Sequence, residues 1–132
     1  MNNLNVMKRY IIISVLLLIS LNGITQRVPK GMIEAFQQGD AKQLSEYFHD
    51  NLEMQILKEE YVTSKNQATR IMQDFFKENP PLSFEMEYEG TKQDSKYGLG
   101  TLVTRKGTFN VHLYFLDGRN ERIIYSVSIE KN

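Results

Sequence analysis

Few residues in this chain of 132 amino acids have side chains suited to acid–base, nucleophilic or metal chemistry. The absence of cysteine excludes thiol nucleophiles, disulfides and thiolate metal sites. With only two histidines, His49 and His112, a histidine-rich metal cage is excluded as well. His112 is the one candidate general base, since imidazole ordinarily titrates nearest neutrality. No glycine-rich phosphate loop or nucleophile elbow occurs, so we expect neither a cofactor nor a metal.

An acidic row and the overall charge bear on the choice of partner. Sixteen basic and sixteen acidic residues cancel, so nothing electrostatic favours a nucleic acid. Glu85, Glu87 and Glu89 alternate along one predicted strand, which places them on one face. That row is either solvated, with ion pairs to neighbouring strands, or attracts a cation or a basic partner. The basic residues available for such pairs are Lys92, Lys96, Arg105 and Arg122.

The first 25 residues differ from the rest of the chain. Lys8 and Arg9 precede an uncharged apolar run of 12 residues, Tyr10–Leu21. A signal peptide needs roughly 7–15 apolar residues, whereas a membrane span needs about 20. We therefore predict that residues 1–25 are a signal peptide, cleaved near Gln26, and that the protein is exported to the periplasm or beyond. No stable membrane span is expected after cleavage; an uncleaved signal anchor is the alternative.

Residues 26–132 are expected to form one domain, because no linker or repeat interrupts them. Helical spacing predicts two short helices that meet at Gly39-Asp40, with His49 capping the end of the second. A short hairpin follows, and Ser64 with Gln67 is a capping pair that opens a third helix. Four longer strands complete an α+β domain, in which three N-terminal helices cover an antiparallel sheet.

Alternation along the strands predicts which side chains share a face. Leu82, Phe84, Met86 and Tyr88 are expected together on the core side of the first long strand. In the third long strand, four apolar residues are predicted to face the core: Phe109, Val111, Leu113 and Phe115. His112 then lies with Asn110 and Tyr114 on the opposite face, toward solvent or a dimer partner.

The order of elements and several short motifs resemble the nuclear transport factor 2-like superfamily. The motifs are residues 35–40 (AFQQGD), Leu44 with Tyr47-Phe48, and residues 64–68 (SKNQA) with Phe75-Phe76. The resemblance covers residues 29–130, and it is greatest to small exported bacterial members classed as domains of unknown function. It implies a cone in which three helices pack on a strongly curved antiparallel sheet around a pocket, and frequent homodimerisation through that sheet.

The resemblance also permits a test of enzymatic function. Ketosteroid isomerases of the superfamily use a tyrosine donor, an aspartate base and a second donor. Those positions fall near Met32, Ile56 and His112 of this chain, and the first two are apolar. A dehydratase-type His–Asp pair is also unsupported. We therefore expect no catalytic residue, with an isomerase- or dehydratase-like enzyme that uses His112 as an alternative.

The leading prediction is an exported, non-enzymatic binding module. Its ligand is either a small apolar molecule in the cone or a protein on the sheet. The other alternative is a structural or interaction homodimer whose cone is filled by its own side chains. The predicted pocket residues are Met32, Phe36, Tyr47, Met54, Ile56, Met72, Phe75, Phe84, Tyr88 and Tyr125.

Overall fold

The fold is described from a computed structural model, which covers residues 3–20, 28–93, 95–117 and 122–132. Its helices are α1 (Asn3–Ser20), α2 (Lys30–Gln38), α3 (Ala41–Ser45) and α4 (Lys65–Glu78). Its strands are β1 (Phe48–Ile56), β2 (Glu59–Ser64), β3 (Pro81–Lys92), β4 (Ser95–Thr104), β5 (Gly107–Asp117) and β6 (Arg122–Lys131). After α1, the order of helices and strands is the predicted one, and the α+β class with a curved sheet is confirmed.

Helix α1 corresponds to the apolar N-terminal segment. Among the described residues, no helix combines the length and the hydropathy that crossing a bilayer requires. The predicted cleavage position at Gln26 lies outside the described residues.

The boundaries of α2, α3 and α4 follow from local capping. Gly39 ends α2 in the left-handed conformation, with φ of 65°. Asp40 then caps α3 by accepting a hydrogen bond of 3.0 Å from the Gln43 amide. Because α3 already ends at Ser45, the expected capping role of His49 is wrong: His49 lies in β1, with Nδ1 3.0 Å from the carbonyl oxygen of Asn51.

The six strands form one sheet in the order β2-β1-β6-β5-β4-β3. All neighbouring pairs are antiparallel except β1 and β6, which run parallel. The prediction of an antiparallel sheet therefore holds for every pair of neighbouring strands except β1 and β6. The long connection from β1 to β6, through α4 and four strands, allows β6 to return beside β1 in the same direction.

Bulges in β3 change which residues share a face. Leu82 and Glu87 are extra residues relative to β4, since Met86 lies opposite Gly100 while Tyr88 lies opposite Leu99. The prediction that Leu82 and Tyr88 face the core is therefore wrong: their side chains are 58% and 53% exposed. We call the sheet face that packs on the helices the inner face, and the opposite one the outer face.

Apolar side chains of α2, α3, α4 and the inner face form one core. The ring of Phe36 from α2 stacks on that of Phe84 from β3, with centroids 4.5 Å apart, and meets Phe76 of α4 edge-on at 6.1 Å. Gly100 lies beneath Phe84, where a β-carbon would come within 2.6 Å of the ring. The middle of the core is thus occupied by the protein's own side chains.

Candidate functional site

The structure places the predicted pocket residues in three different environments. Six of them lie in the core and are at most 5% exposed: Met32, Phe36, Met54, Met72, Phe75 and Phe84. Tyr47 and Ile56 are partly buried at the edge of that core. Tyr88 and Tyr125 lie on the outer face, since their rings belong to the aromatic row described below. The ten residues therefore do not surround one cavity.

His112 lies on the outer face of β5, as the alternation predicts. It is opposite Leu99 of β4 and Ser128 of β6. Met32, near which the resemblance to the isomerases puts a tyrosine donor, is fully buried on the other side of the sheet. The structure therefore places these two positions on opposite sides of the sheet and does not bring them together.

Four tyrosines from four neighbouring strands cross the outer face. Ring centroids are separated by 5.7 Å from Tyr88 to Tyr97, by 6.2 Å from Tyr97 to Tyr114 and by 6.2 Å from Tyr114 to Tyr125. These spacings are typical of interacting aromatic rings. We call these four residues the tyrosine row; Tyr88 at its end is the most exposed.

Hydrogen bonding within the tyrosine row makes Tyr97 harder to ionise. A hydrogen bond with the Tyr88 hydroxyl, assisted by partial desolvation and by the charges that Tyr88 and Tyr114 can carry, raises the pKa of Tyr97 above its ordinary value. Tyr97 therefore keeps its proton to higher pH than an isolated tyrosine. The row presents aromatic faces and hydroxyl groups to its surroundings.

An open groove of about 700 Å³ lies beside the tyrosine row on the outer face. Its floor is the short side chains of Ser126 and Ser128 on β6. Longer side chains flank them, because Ser126 is opposite Tyr114 on β5 and Glu53 on β1. Ser128 is likewise opposite His112 and Gln55. The groove is also lined by Glu60, Val62 and Glu130. We call this feature the outer groove.

A second groove of about 790 Å³ lies where α4 meets the β1–β2 hairpin. Its apolar lining comes from Ile56, Leu57, Ile71 and Phe75. Charged side chains surround it: Lys58, Glu59, Asp74, Glu78, Glu130 and Lys131. We call it the mouth groove, since it opens at the edge of the core.

Glu89 differs from the other acids of β3, because the bulge at Glu87 turns it to the inner face. Its carboxylate accepts hydrogen bonds from Arg122 Nη1, at 3.2 Å, and from the backbone amide of Val28. The Arg122 guanidinium also lies over the ring of Phe115, 5.4 Å from its centroid. The prediction of a single acidic row is therefore wrong, but the cross-strand pair with Arg122 exists.

The sequence did not single out the outer groove. Of the tyrosine row it named Tyr88 and Tyr125 as pocket residues and placed Tyr114 beside His112 on the outward face. One local signal was available: Ser126 and Ser128 alternate with buried Val127, which places two small polar residues on the outward side of a strand. Recognising the groove also required the register of four strands. Among the described residues, no group of three or more His, Asp or Glu is arranged to hold a metal ion.

The comparisons with known proteins identify a family without an assigned activity. The profile of a family described as a domain of unknown function (DUF4783) matches residues 29–130. A DUF4783 protein from Bacteroides ovatus is 30% identical, with 82% of this chain and 98% of that chain covered and a TM-score of 0.75. One from Bacteroides uniformis is 29% identical, with 80% and 98% covered and a TM-score of 0.73.

A more distant structure is similar in fold alone. It is an NTF-2 like protein of unknown function from Silicibacter pomeroyi, 15% identical, with 78% of this chain and 88% of that chain covered and a TM-score of 0.58. None of the curated proteins compared matches this chain.

Proposed function

Since this chain belongs to the DUF4783 family, a domain of unknown function, we propose its role from its own geometry: it is an exported, non-enzymatic module that binds a protein partner on the outer face of its sheet. The same proposal includes membership of the nuclear transport factor 2-like superfamily. A fold likeness at 15% identity supports that membership.

The observation that carries the proposal is the tyrosine row. Tyrosine is enriched at protein interfaces, because it supplies a large rigid surface with a polar end at little cost in side-chain entropy. Other apolar side chains on the outer face are exposed as well, with Val62 at 87% and Leu116 at 43%. An aromatic surface of this kind on a folded domain is typical of an interaction site.

The inner side of the sheet offers less to a ligand. Phe36 and Phe84 stack in the middle of the core, and Met32 and Met72 beside them are fully buried. A molecule in the cone would have to displace these close-packed side chains, at a cost of several kcal/mol for such rings. This packing favours the outer face over the predicted pocket as the binding surface.

Export is supported by the N-terminal segment alone. Lys8 and Arg9 precede an apolar run of signal-peptide length. N-terminal sequencing of the protein from each cell fraction of its host tests this part: a mature chain that begins near Gln26 supports export and cleavage, whereas an intact N-terminus in the cytoplasmic fraction contradicts both.

Site-specific photo-crosslinking tests the binding surface. A photoreactive phenylalanine replaces Leu99, which lies on the outer face between Tyr88 and His112. Gln73, exposed on α4, is the matched control position. We expect a protein to be captured in the host from position 99 and not from position 73, and capture to weaken in Tyr88→Ala. Equal capture from both positions, or none from position 99, would contradict the proposal.

The mouth groove favours a second candidate function, the binding of a small apolar molecule. Ile56 and Phe75, both predicted as pocket residues, line it together with Ile71. Its volume of about 790 Å³ is within the usual range for ligand pockets. Native mass spectrometry of the protein from its host tests this function: a bound mass that is lost in Ile71→Glu supports it, and a bare protein contradicts it.

A further inference from the structure

We propose that the outer groove binds an extended peptide segment that carries lysine or arginine side chains. This inference rests on the proposed function and specifies the chemistry of its partner. Three features of the groove carry it: the shape of its floor, the sign of its charges, and its continuity with the tyrosine row.

The shape of the outer groove suits an extended chain. The serine floor follows β6, and the flanking side chains come from β5 on one side and from β1 and β2 on the other. From Ser126 to Glu130 the strand rises by roughly 13 Å, at about 3.3 Å per residue. An extended peptide of about four residues has the same length, and its alternate side chains point to one side. The serine hydroxyls and the Gln55 amide offer hydrogen bonds to its backbone.

The charges of the outer groove are all of one sign. Glu53, Glu60 and Glu130 contribute carboxylates to its lining, and no lysine or arginine is among the lining residues. Within the described part of the chain, none of these three carboxylates forms an ion pair. Their mutual repulsion is relieved when a cationic side chain lies between them. The groove therefore favours a basic segment over an acidic or neutral one.

Tyr114 joins the outer groove to the tyrosine row. It is opposite Ser126 on one side, and its ring lies 6.2 Å from that of Tyr97 on the other. A guanidinium or ammonium group that leaves the groove on this side meets an aromatic face, which attracts cations. Arginine satisfies both parts of the surface, because it pairs with carboxylates and stacks on tyrosine rings.

A second copy of this chain does not supply the matching charge from the same face. By strand register, Lys92 is the only basic residue whose side chain belongs to the outer face in the described strands. Glu53, Glu60, Glu85 and Glu130 belong to that face. Two outer faces placed together would therefore bring like charges near one another, which is why we favour a different, basic partner.

Isothermal titration calorimetry tests the inference with a short peptide in which lysine or arginine alternates with serine. We expect the purified protein to bind this peptide, to lose affinity as salt is added, and to ignore the same peptide with glutamine at the basic positions. Glu53→Gln and Glu130→Gln should each weaken binding about two- to fivefold, which is the range for exposed ion pairs. Glu85→Gln removes an equal charge from the same face outside the groove and should leave affinity unchanged.

Several outcomes overturn the inference. The first is that the glutamine peptide binds as tightly as the basic peptide. The second is that Glu85→Gln loses as much affinity as Glu53→Gln or Glu130→Gln. The third is that spermidine, which carries charge without a peptide backbone, binds as tightly as the basic peptide. A fourth is that analytical ultracentrifugation shows a dimer of the protein which dissociates in Glu53→Gln or Glu130→Gln. The groove would then bind a second copy of this chain and not a basic peptide. If no basic peptide binds while position 99 still captures a protein, the inference is wrong and the proposed function stands. If position 99 captures nothing, the proposed function is also wrong.

Discussion

Met86 and Tyr88 are two residues apart in β3 and yet face opposite sides of the sheet. Met86 covers Gly98 on the inner face, where a β-carbon on that glycine would clash with Met86 Cε. Tyr88 begins the tyrosine row on the outer face. The bulge at Glu87 separates them, and it thereby delivers one aromatic ring to the candidate binding surface while the strand continues to close the core.

The two core-facing glycines of β4 provide a matched pair for a packing test. Gly100→Ala should destabilise the fold by about 1–3 kcal/mol, because the new methyl group meets the buried ring of Phe84 at 2.6 Å and the Glu85 carbonyl oxygen at 3.1 Å. Gly98→Ala should cost less than about 1 kcal/mol, since it meets the flexible end of Met86. Urea unfolding followed by circular dichroism measures both; equal losses would contradict this account of why glycine occupies position 100.

The pair formed by Glu89 and Arg122 should contribute measurably to stability. Glu89→Ala removes the acceptor for a guanidinium whose side chain is 12% exposed and for the Val28 amide. We expect a loss of about 1.5–3 kcal/mol in the free energy of unfolding, which is the range for hydrogen bonds to charged groups.

The control for that experiment is Glu34→Ala, because Glu34 forms a solvent-exposed pair with Lys30 at 3.8 Å along α2. Exposed pairs of this kind contribute little, so the change should stay within about 0.5 kcal/mol. A loss for Glu89→Ala no larger than for Glu34→Ala would show that burial does not strengthen the inner pair.

Two buried threonines should respond oppositely to valine. The hydroxyl of Thr63 has no hydrogen-bond partner among the described residues, so Thr63→Val should be neutral or stabilise the fold by up to about 1 kcal/mol. The hydroxyl of Thr104 donates to the Gly107 carbonyl at 2.9 Å and accepts from the Lys106 amide at 3.1 Å. Thr104→Val should therefore cost about 1–3 kcal/mol. Thermal unfolding of the two variants measures both changes in stability. A large loss of stability in Thr63→Val would contradict the prediction, because it would reveal a hydrogen-bond partner for the Thr63 hydroxyl.

Ionisation of the tyrosine row should depend on Tyr88. The pKa of Tyr97 is raised above the ordinary tyrosine value of about 10, chiefly by its hydrogen bond with Tyr88. Because the raised pKa belongs to the folded state, the associated stability is fully present below pH of about 10 and is lost as the pH rises through the folded pKa. In Tyr88→Phe the pKa of Tyr97 should fall.

Carbon-13 NMR of the ring Cζ atoms follows each tyrosine separately during that titration. Tyr61 is the internal control, since its pKa is raised by the hydrogen bond that its hydroxyl donates to Glu59 and should not respond to Tyr88→Phe. An unchanged Tyr97 in the variant would contradict the role assigned to Tyr88.

The amino-acid sequence by itself determined the elements and most of the core. Local chemistry was sufficient at Gly39-Asp40 and at Ser64, since the left-handed glycine and the two capping side chains act within a few residues of one another. Alternation in β5 correctly separated Val111 from His112, because a regular strand repeats every two residues.

The tertiary structure alone decided which residues meet on the outer face. The bulge at Glu87 defeats the two-residue repeat, so Tyr88 could not be assigned to its face from β3 alone. The outer groove brings Glu53 beside Ser126 through the parallel contact of β1 with β6, across more than half of the chain. Pairing of strands that are distant in sequence depends on how whole elements pack, a cooperative outcome that no local pattern of residues specifies.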